Sequence, residues 1–542
     1  MHDNRAQRSH VNSQPQFVAT KSNEPYGNAR TSPNPGAIST RPVVDELHFA
    51  EDIPGCPEAV IGEDWMSQYD GEARDHVTYM PPMFHDEDRQ PLLRAVMLRH
   101  FVDSLARWFD LCDPERHFEL VVPQRARKCA PLMLAILCAS ARHLSRTSQG
   151  KRTFERFYPG IFETETAVQF HSEAIQALLA LTSNRDEMQN EDLLAAVILL
   201  RWYEEIDAPL RGDDQDSELF LRVINLFITQ QFVQTPTFSH TSPSTMSLST
   251  PIELTASPDL NTSLHIPLET GLSSYPNTNR AGGLRQASFW VAMRQEIYDC
   301  LLKQRSFKIP LSRCAAFRSF TVANDAVWAN RMIVFCADCL EFCYGSQEIR
   351  DGTSTIPTVA NSPVNLVRYR WKELKALEKQ WDESIPSTFD PIYTSKPVPS
   401  ITPRNRIFPE LWYLSACHVT GLHHLELARI LLMVHDPTPP LLGPGSRASS
   451  KQLSSSIQNT VRKMCGMALG NRKLPPALAT ACLSIAMCGG YFVERYEQEA
   501  LLEVLDMIER EHGWPFGRTV RRLKEAWGWN EDFGVGTHGP LT

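Results

Sequence analysis

Residues Leu98–Arg146 read LRHFVDSLARWFDLCDPERHFELVVPQRARKCAPLMLAILCASARHLSR. Leu98, Phe101, Val102, Leu105, Trp108 and Phe109 recur at the spacing of one helix face. The Asp113–Pro114 step breaks that period, and Pro123 and Pro131 bracket a second break. Leu132, Leu134, Ile136, Leu137 and Leu144 then resume it. The stretch predicts two amphipathic helices joined by a stiff linker.

Outward from this stretch, the helical period dominates from about Pro91 to the C-terminus. Leu193–Leu200 (LLAAVILL) is apolar on every side, which predicts a helix at the centre of the fold. Phe289, Met293, Ile297 and Leu301 repeat at every fourth position, with Trp290 beside them. Further helices are expected at Leu366–Trp381, Leu411–Val434, Ile457–Leu469, Ala477–Val493 and Leu501–Ile508. Period-two alternation is scarce, so the fold class is all-α. A helical domain is expected over 86–530, with a short tail at 531–542. Residues 234–283 interrupt it with Ser, Thr, Pro and Asn and offer no packing face, as a disordered loop would. Shorter breaks of the same composition fall at 345–364, 384–407 and 437–455.

Residues 1–85 are expected to form a disordered arm. Within it, residues 45–75 hold ten acidic side chains and one Arg, interleaved with Leu47, Phe49 and Trp65. Acidic-hydrophobic alternation is the composition of an amphipathic activation segment, though a solvated acidic tail has the same charge. The whole chain of 542 residues carries a net charge of −9, which argues against a duplex-binding surface spread over its length. Thirteen cysteines scattered through apolar runs read as reduced, buried thiols of a cytosolic or nuclear protein. No apolar segment follows a basic start, so no secretory leader is expected. Ala477–Val493, at 17 residues, falls short of the roughly 20 that a bilayer requires, so no membrane span is expected.

Motifs for chemistry fail one after another. Cys336–Cys339, with Cys343 beyond, is a Cys-x-x-Cys pair without a second pair or a basic run. The three share one helix face with Met332, Phe335 and Leu340, which reads as packed core rather than thiolate ligation. Cys56 stands alone in the first 90 residues. Asp213, Asp214, Asp216 and Glu218 invite comparison with a magnesium-binding DDxxD box of a helical metal-dependent enzyme. Ser217 occupies the position where its last carboxylate belongs. An acidic loop before a helix N-terminus near Leu219 explains the same residues. His423–His424 lack helix-spaced ligand partners, and nucleophile-elbow and phosphate-loop patterns are missing. The basic runs Arg125–Lys128 and Arg518–Lys524 read as ordinary surface-helix patterns. No catalytic, cofactor-binding or metal residue is assigned, no cofactor is expected, and the chain does not read as an enzyme.

Several blocks, in order, resemble the fungal-specific transcription factor domain, a helical regulatory region that usually follows a binuclear zinc cluster. They are the Leu98–Arg146 stretch, Phe170–Ile175 (FHSEAI), Leu193–Asp207 and Gln286–Leu302 with its Trp-x-x-x-Arg-Gln-Glu segment. Blocks from Trp371, Phe408 and Cys465 onward follow, so the resemblance runs from about 90 to 528. It implies a nuclear regulator of a metabolic or secondary-metabolite gene set, without a catalytic site of its own. The missing zinc cluster implies either a DNA-binding partner protein or a lost N-terminal exon. The alternative is a co-regulator or interaction protein that does not bind DNA. Expected partners are the transcription machinery or that DNA-binding protein, with a homodimer as a further expectation. Trp108, Trp202, Trp290 and Trp412 are expected at the centre, where an apolar effector cavity or a solid core would each fit the composition.

Overall fold

A computed structural model describes residues 86–147, 152, 165–182, 189–207, 219–231, 283–345, 363–396, 407–439 and 443–529. The arm 1–85, with its 45–75 segment, the acidic stretch 212–218 and the tail 531–542 lie outside these. So does the interruption at 234–283, up to Gly283. The described part is all-α apart from one two-stranded ribbon.

The first helix, α1 (Asp86–His100), passes into a π turn at Phe101–Leu105 and a 3-10 turn at Ala106–Trp108. The expected stiff linker is itself helical. It forms α2 (His117–Leu120) and α3 (Val122–Ala126), because Pro123 sits in the first turn of α3, where no N–H is needed. Pro131 opens α4 (Ala130–Arg146) in the same way. The Asp110 carboxylate accepts the N–H groups of Phe118 and Glu119 at 2.9 and 2.8 Å, which starts α2.

Next come α5 (Thr166–Thr182), α6 (Glu191–Asp207) and α7 (Leu219–Gln231). Helix α6 begins with Glu191 and Asp192, acids at the positive end of the helix dipole. Asn190 Oδ1 accepts the Asp192 N–H at 3.0 Å. Leu193–Leu200 are completely buried between α4 and α8 (Gly283–Lys303), so the all-apolar run is the centre of the fold. On α8, Phe289, Met293, Ile297 and Leu301 are all buried.

The second half holds α9 (Asp325–Tyr344) and α10 (Pro363–Ser384). It continues with α11 (Ala416–Val434), α12 (Pro444–Gly470) and α13 (Pro475–Cys488). Two further helices, α14 (Arg495–His512) and α15 (Gly517–Ala526), close the chain. Asn324 caps α9 by accepting the Val327 N–H at 2.9 Å. Helices α9 and α11 lie against each other along their length. Gly421 makes that approach feasible, since a Cβ there would lie 2.9 Å from Ala329 Cα.

Four expectations need correction. The helix expected from Leu411 starts only at Ala416. Residues Glu410–Trp412 instead form β2, antiparallel to β1 (Tyr393–Ser395). The backbone of Pro409 and Leu411 lies directly on Gly466 and Gly470 of α12, one turn apart, so packing overrides local propensity. Trp412 therefore sits on the surface at 43% exposure and not at the centre. The break expected at 437–455 is shorter, because Gly443, at φ +99, lets Pro444 start α12. Ala477–Val493 is also interrupted, with α13 ending at Cys488 before Gly489–Gly490. No helix among the described residues is long and apolar enough to cross a membrane.

Candidate functional site

A cavity of about 100 Å³ lies where the turn after α1 meets α6, α8, α11 and α13. Its main wall is a cage of indoles. Trp108 stacks on Trp514 with centroids 5.3 Å apart, and Trp202 meets both edge-on at 5.6 and 6.0 Å. Such edge and stacked pairs satisfy the ring quadrupoles. Trp514 reaches the cage because α14 ends in Gly513, left-handed at φ +65, which redirects the chain. A Cβ on Gly513 would come within 2.6 Å of Arg146 Cβ, so the turn is also pressed against the end of α4. The Trp514 Nε1–H donates to Tyr298 Oη at 3.0 Å.

Polar atoms interrupt this apolar lining, and several have no partner among the described residues. Trp108 Nε1, Trp202 Nε1, Gln295 Oε1 and His423 Nδ1 are all buried without a hydrogen bond. Buried polar atoms are ordinarily satisfied, so four at one cavity demand an explanation. His423 donates from Nε2 to the Met464 carbonyl at 3.2 Å, which leaves Nδ1 as a bare acceptor. Burial pulls the His423 pKa down to about 3 and that of its neighbour His424 to about 4. Both rings are neutral at physiological pH.

Two charged residues share the lining. Glu205 lies 3.2 Å from Arg201 Nε, yet burial outweighs that cation and pushes its pKa up to about 8. Arg294 donates to the Phe109 carbonyl at 2.7 Å, and burial lowers its pKa. No carboxylate among the described residues lies within ion-pair distance of Arg294. Its neighbours Asp110 and Asp113 are committed elsewhere, to α2 N–H groups and to His117.

Behind the cavity, Glu296 is completely buried and takes Arg305 at 2.7 Å, Arg201 at 3.2 Å and the Lys308 N–H at 3.0 Å. This holds its carboxyl below the usual range despite burial. His100 Nε2 and His143 Nδ1 share a hydrogen bond at 2.9 Å, and burial lowers both rings, His100 to about 4.

The sequence motifs fall in different places. Cys336, Cys339 and Cys343 are buried on α9, with thiols pushed up by burial at Cys336 and Cys339. Among the described residues, no group of three His, Cys, Asp or Glu side chains could hold a metal. Arg125 ion-pairs with Glu191 and Asp192, both at 3.1 Å. On α15, Arg521 and Arg522 are exposed while Leu523 is buried. His423 and His424 do join a site, but as cavity wall. Sequence reasoning missed Glu205, Arg294, Gln295 and Trp514. The first three lie in quoted helical blocks, and only the three-residue spacing of Glu205 from Trp202 hinted at a shared face.

These helices define an all-α architecture with a polar-studded apolar cavity. Residues 96–281 match the family described as fungal specific transcription factor domain, which bears out over that stretch the resemblance read from the sequence blocks. No curated protein and no solved structure matches the chain.

Proposed function

We propose that this protein is a nuclear regulator of transcription that controls a metabolic or secondary-metabolite gene set. In this reading its helical domain, spanning 86–530, receives a signal, and a DNA-binding partner supplies contact with the target genes. The family match over residues 96–281 carries the proposal. The chemistry of the described residues agrees with a regulator that is not an enzyme. The polar groups around the indole cage are neutral, tied to backbone or orphaned, and none is paired as a nucleophile with its base.

The co-regulator reading, in which the chain never meets DNA, is favoured by the net charge of −9 and by Arg125 being tied to Glu191 and Asp192. Duplex affinity requires free cations to neutralise phosphates. Transcript profiles of a deletion strain across carbon and nitrogen sources test the regulator itself. A coordinated gene set should change, and an unaltered profile under every condition would remove the proposal. The purified chain should bind duplex DNA weakly and without sequence preference. Nanomolar selective binding with stoichiometric zinc would show that it carries its own reading module. Residues 45–75, fused to a heterologous DNA-binding domain, should drive a reporter, and Trp65→Ala with Phe49→Ala should weaken it. Light scattering of the same sample tests the expected homodimer.

A further inference from the structure

We propose that the indole-lined cavity binds a small, largely apolar carboxylate, its anionic head on Arg294 and its apolar body against Trp108, Trp202 and Trp514. The inference deepens the regulator reading and rests on it only for the consequence of binding.

The charge argument comes first. A guanidinium offers five N–H donors in a planar fork that matches a carboxylate. Among the described residues Arg294 uses its fork only on the Phe109 carbonyl. A half-buried cation with no carboxylate in ion-pair contact is costly, and the lowered pKa of Arg294 reflects that desolvation. Asp110 and Asp113 act on Arg294 from outside the lining, and their oxygens are taken by α2 N–H groups and by His117. Glu205 is protonated at neutral pH because burial lifts it to about 8, and His423 and His424 are uncharged. Among the residues that line the cavity, Arg294 is therefore the one cation.

The orphaned atoms refine the ligand. Two buried indole N–H donors and two buried acceptors, on Gln295 and His423, await partners. A carboxylate satisfies donors, and a hydroxyl on the same molecule would satisfy an acceptor. The space of about 100 Å³ is smaller than the roughly 150 Å³ apolar cavity known to admit benzene. The buried body is thus smaller than a whole benzene ring, a short alkyl chain or one edge of a ring, with the rest of the molecule directed to the half-buried rim near Pro476 and Thr480.

Benzoate, phenylacetate and hexanoate, against benzamide, phenylacetamide and hexanamide, test this on the full-length protein by calorimetry and indole fluorescence. At least one acid should bind about tenfold more tightly than its amide, the worth of one charge-assisted contact, and should alter the tryptophan emission. Arg294→Gln should bring the acid and amide close to equal affinity. Ala479→Val, which fills part of the cavity with a methyl pair, should abolish both. Should Arg294→Gln fail to fold, the acid preference of the parent protein and its loss in Ala479→Val decide the matter. No response to any acid, an acid preference that survives Arg294→Gln, or binding indifferent to Ala479→Val would overturn the site. Acid binding with unchanged transcripts in the deletion strain would remove the regulator and leave the site. Changed transcripts without acid binding would do the reverse.

Discussion

Glu205 and the histidines near it respond to pH in opposite senses, and each sense follows from burial. The folded carboxyl, at about 8, holds its proton well after an unfolded one would lose it. Its stability contribution is therefore present below about 4.5 and is lost as pH rises toward 8. Glu205→Gln should stabilise the protein at pH 8 by on the order of a few kcal/mol and change little near pH 4.5. Denaturant titrations at both values check this, and an equal effect at both would contradict it. His100 has the opposite sign. With its folded pKa near 4, it takes up its proton in the unfolded chain first, so stability falls as pH drops from about 6.5 toward 4. Circular dichroism melts along that acid limb should show a falling midpoint. Gly421→Ala belongs to the same scale. Its new methyl would meet Ala329 backbone on α9, and overpacking of this kind typically destabilises by about 1–3 kcal/mol. A midpoint equal to that of the parent would mean that α9 and α11 separate without penalty. None of these three positions declares itself in sequence. Glu205 reads as one more surface acid in RWYEEID, because what raises its pKa arrives from other helices. Arg294 was legible as part of a quoted segment, but its lack of an ion-pair contact among the described residues is a fact of three dimensions.

Among the elements, α8 carries the heaviest electrostatic duty. Glu296 has no exposure, and Arg305 on the following loop is its main partner. Removing Arg305 leaves Glu296 with Arg201 and the Lys308 N–H, so Arg305→Ala should destabilise by about 1.5–3 kcal/mol, the worth of a lost bond to a buried charge. Double substitution with Glu296→Gln should recover part of that loss in urea unfolding. An additive loss would show that the two residues do not act as a pair. Legibility was uneven at this scale. Continuous apolar runs such as Leu193–Leu200, and the fourfold repeat from Phe289, located buried helices directly, because burial on all sides requires apolar residues on all sides. Cys336, Cys339 and Cys343 were likewise readable as core from their shared face. The β1–β2 ribbon was not readable. FPELWYLS carries apolar residues that suit a helix, and the glycine ledge of α12, the Asn471 side chain and pairing with β1 hold it extended. The start of α12 was hidden for a related reason, since its first turns are exposed and polar and are fixed by Pro444 rather than by an apolar stripe.

For the whole molecule, residues 96–281 are not expected to fold alone. Trp108 and Trp202 would lose Trp514 together with the α8, α11 and α13 walls of the cavity. Expressed by themselves, they should aggregate or bind hydrophobic dyes, and a monodisperse fragment with a cooperative melt would refute this. The stacking of Trp108 on Trp514 has a consequence in time as well. At a synthesis rate of about 5–20 residues per second, one ring waits on the order of a minute for the other to leave the ribosome. During that interval the nascent chain displays an unfinished aromatic face to the crowded cell. Contacts so distant in sequence also close slowly. How much of this protein a cell holds would then depend on chaperone supply during translation as well as on the gene's own promoter.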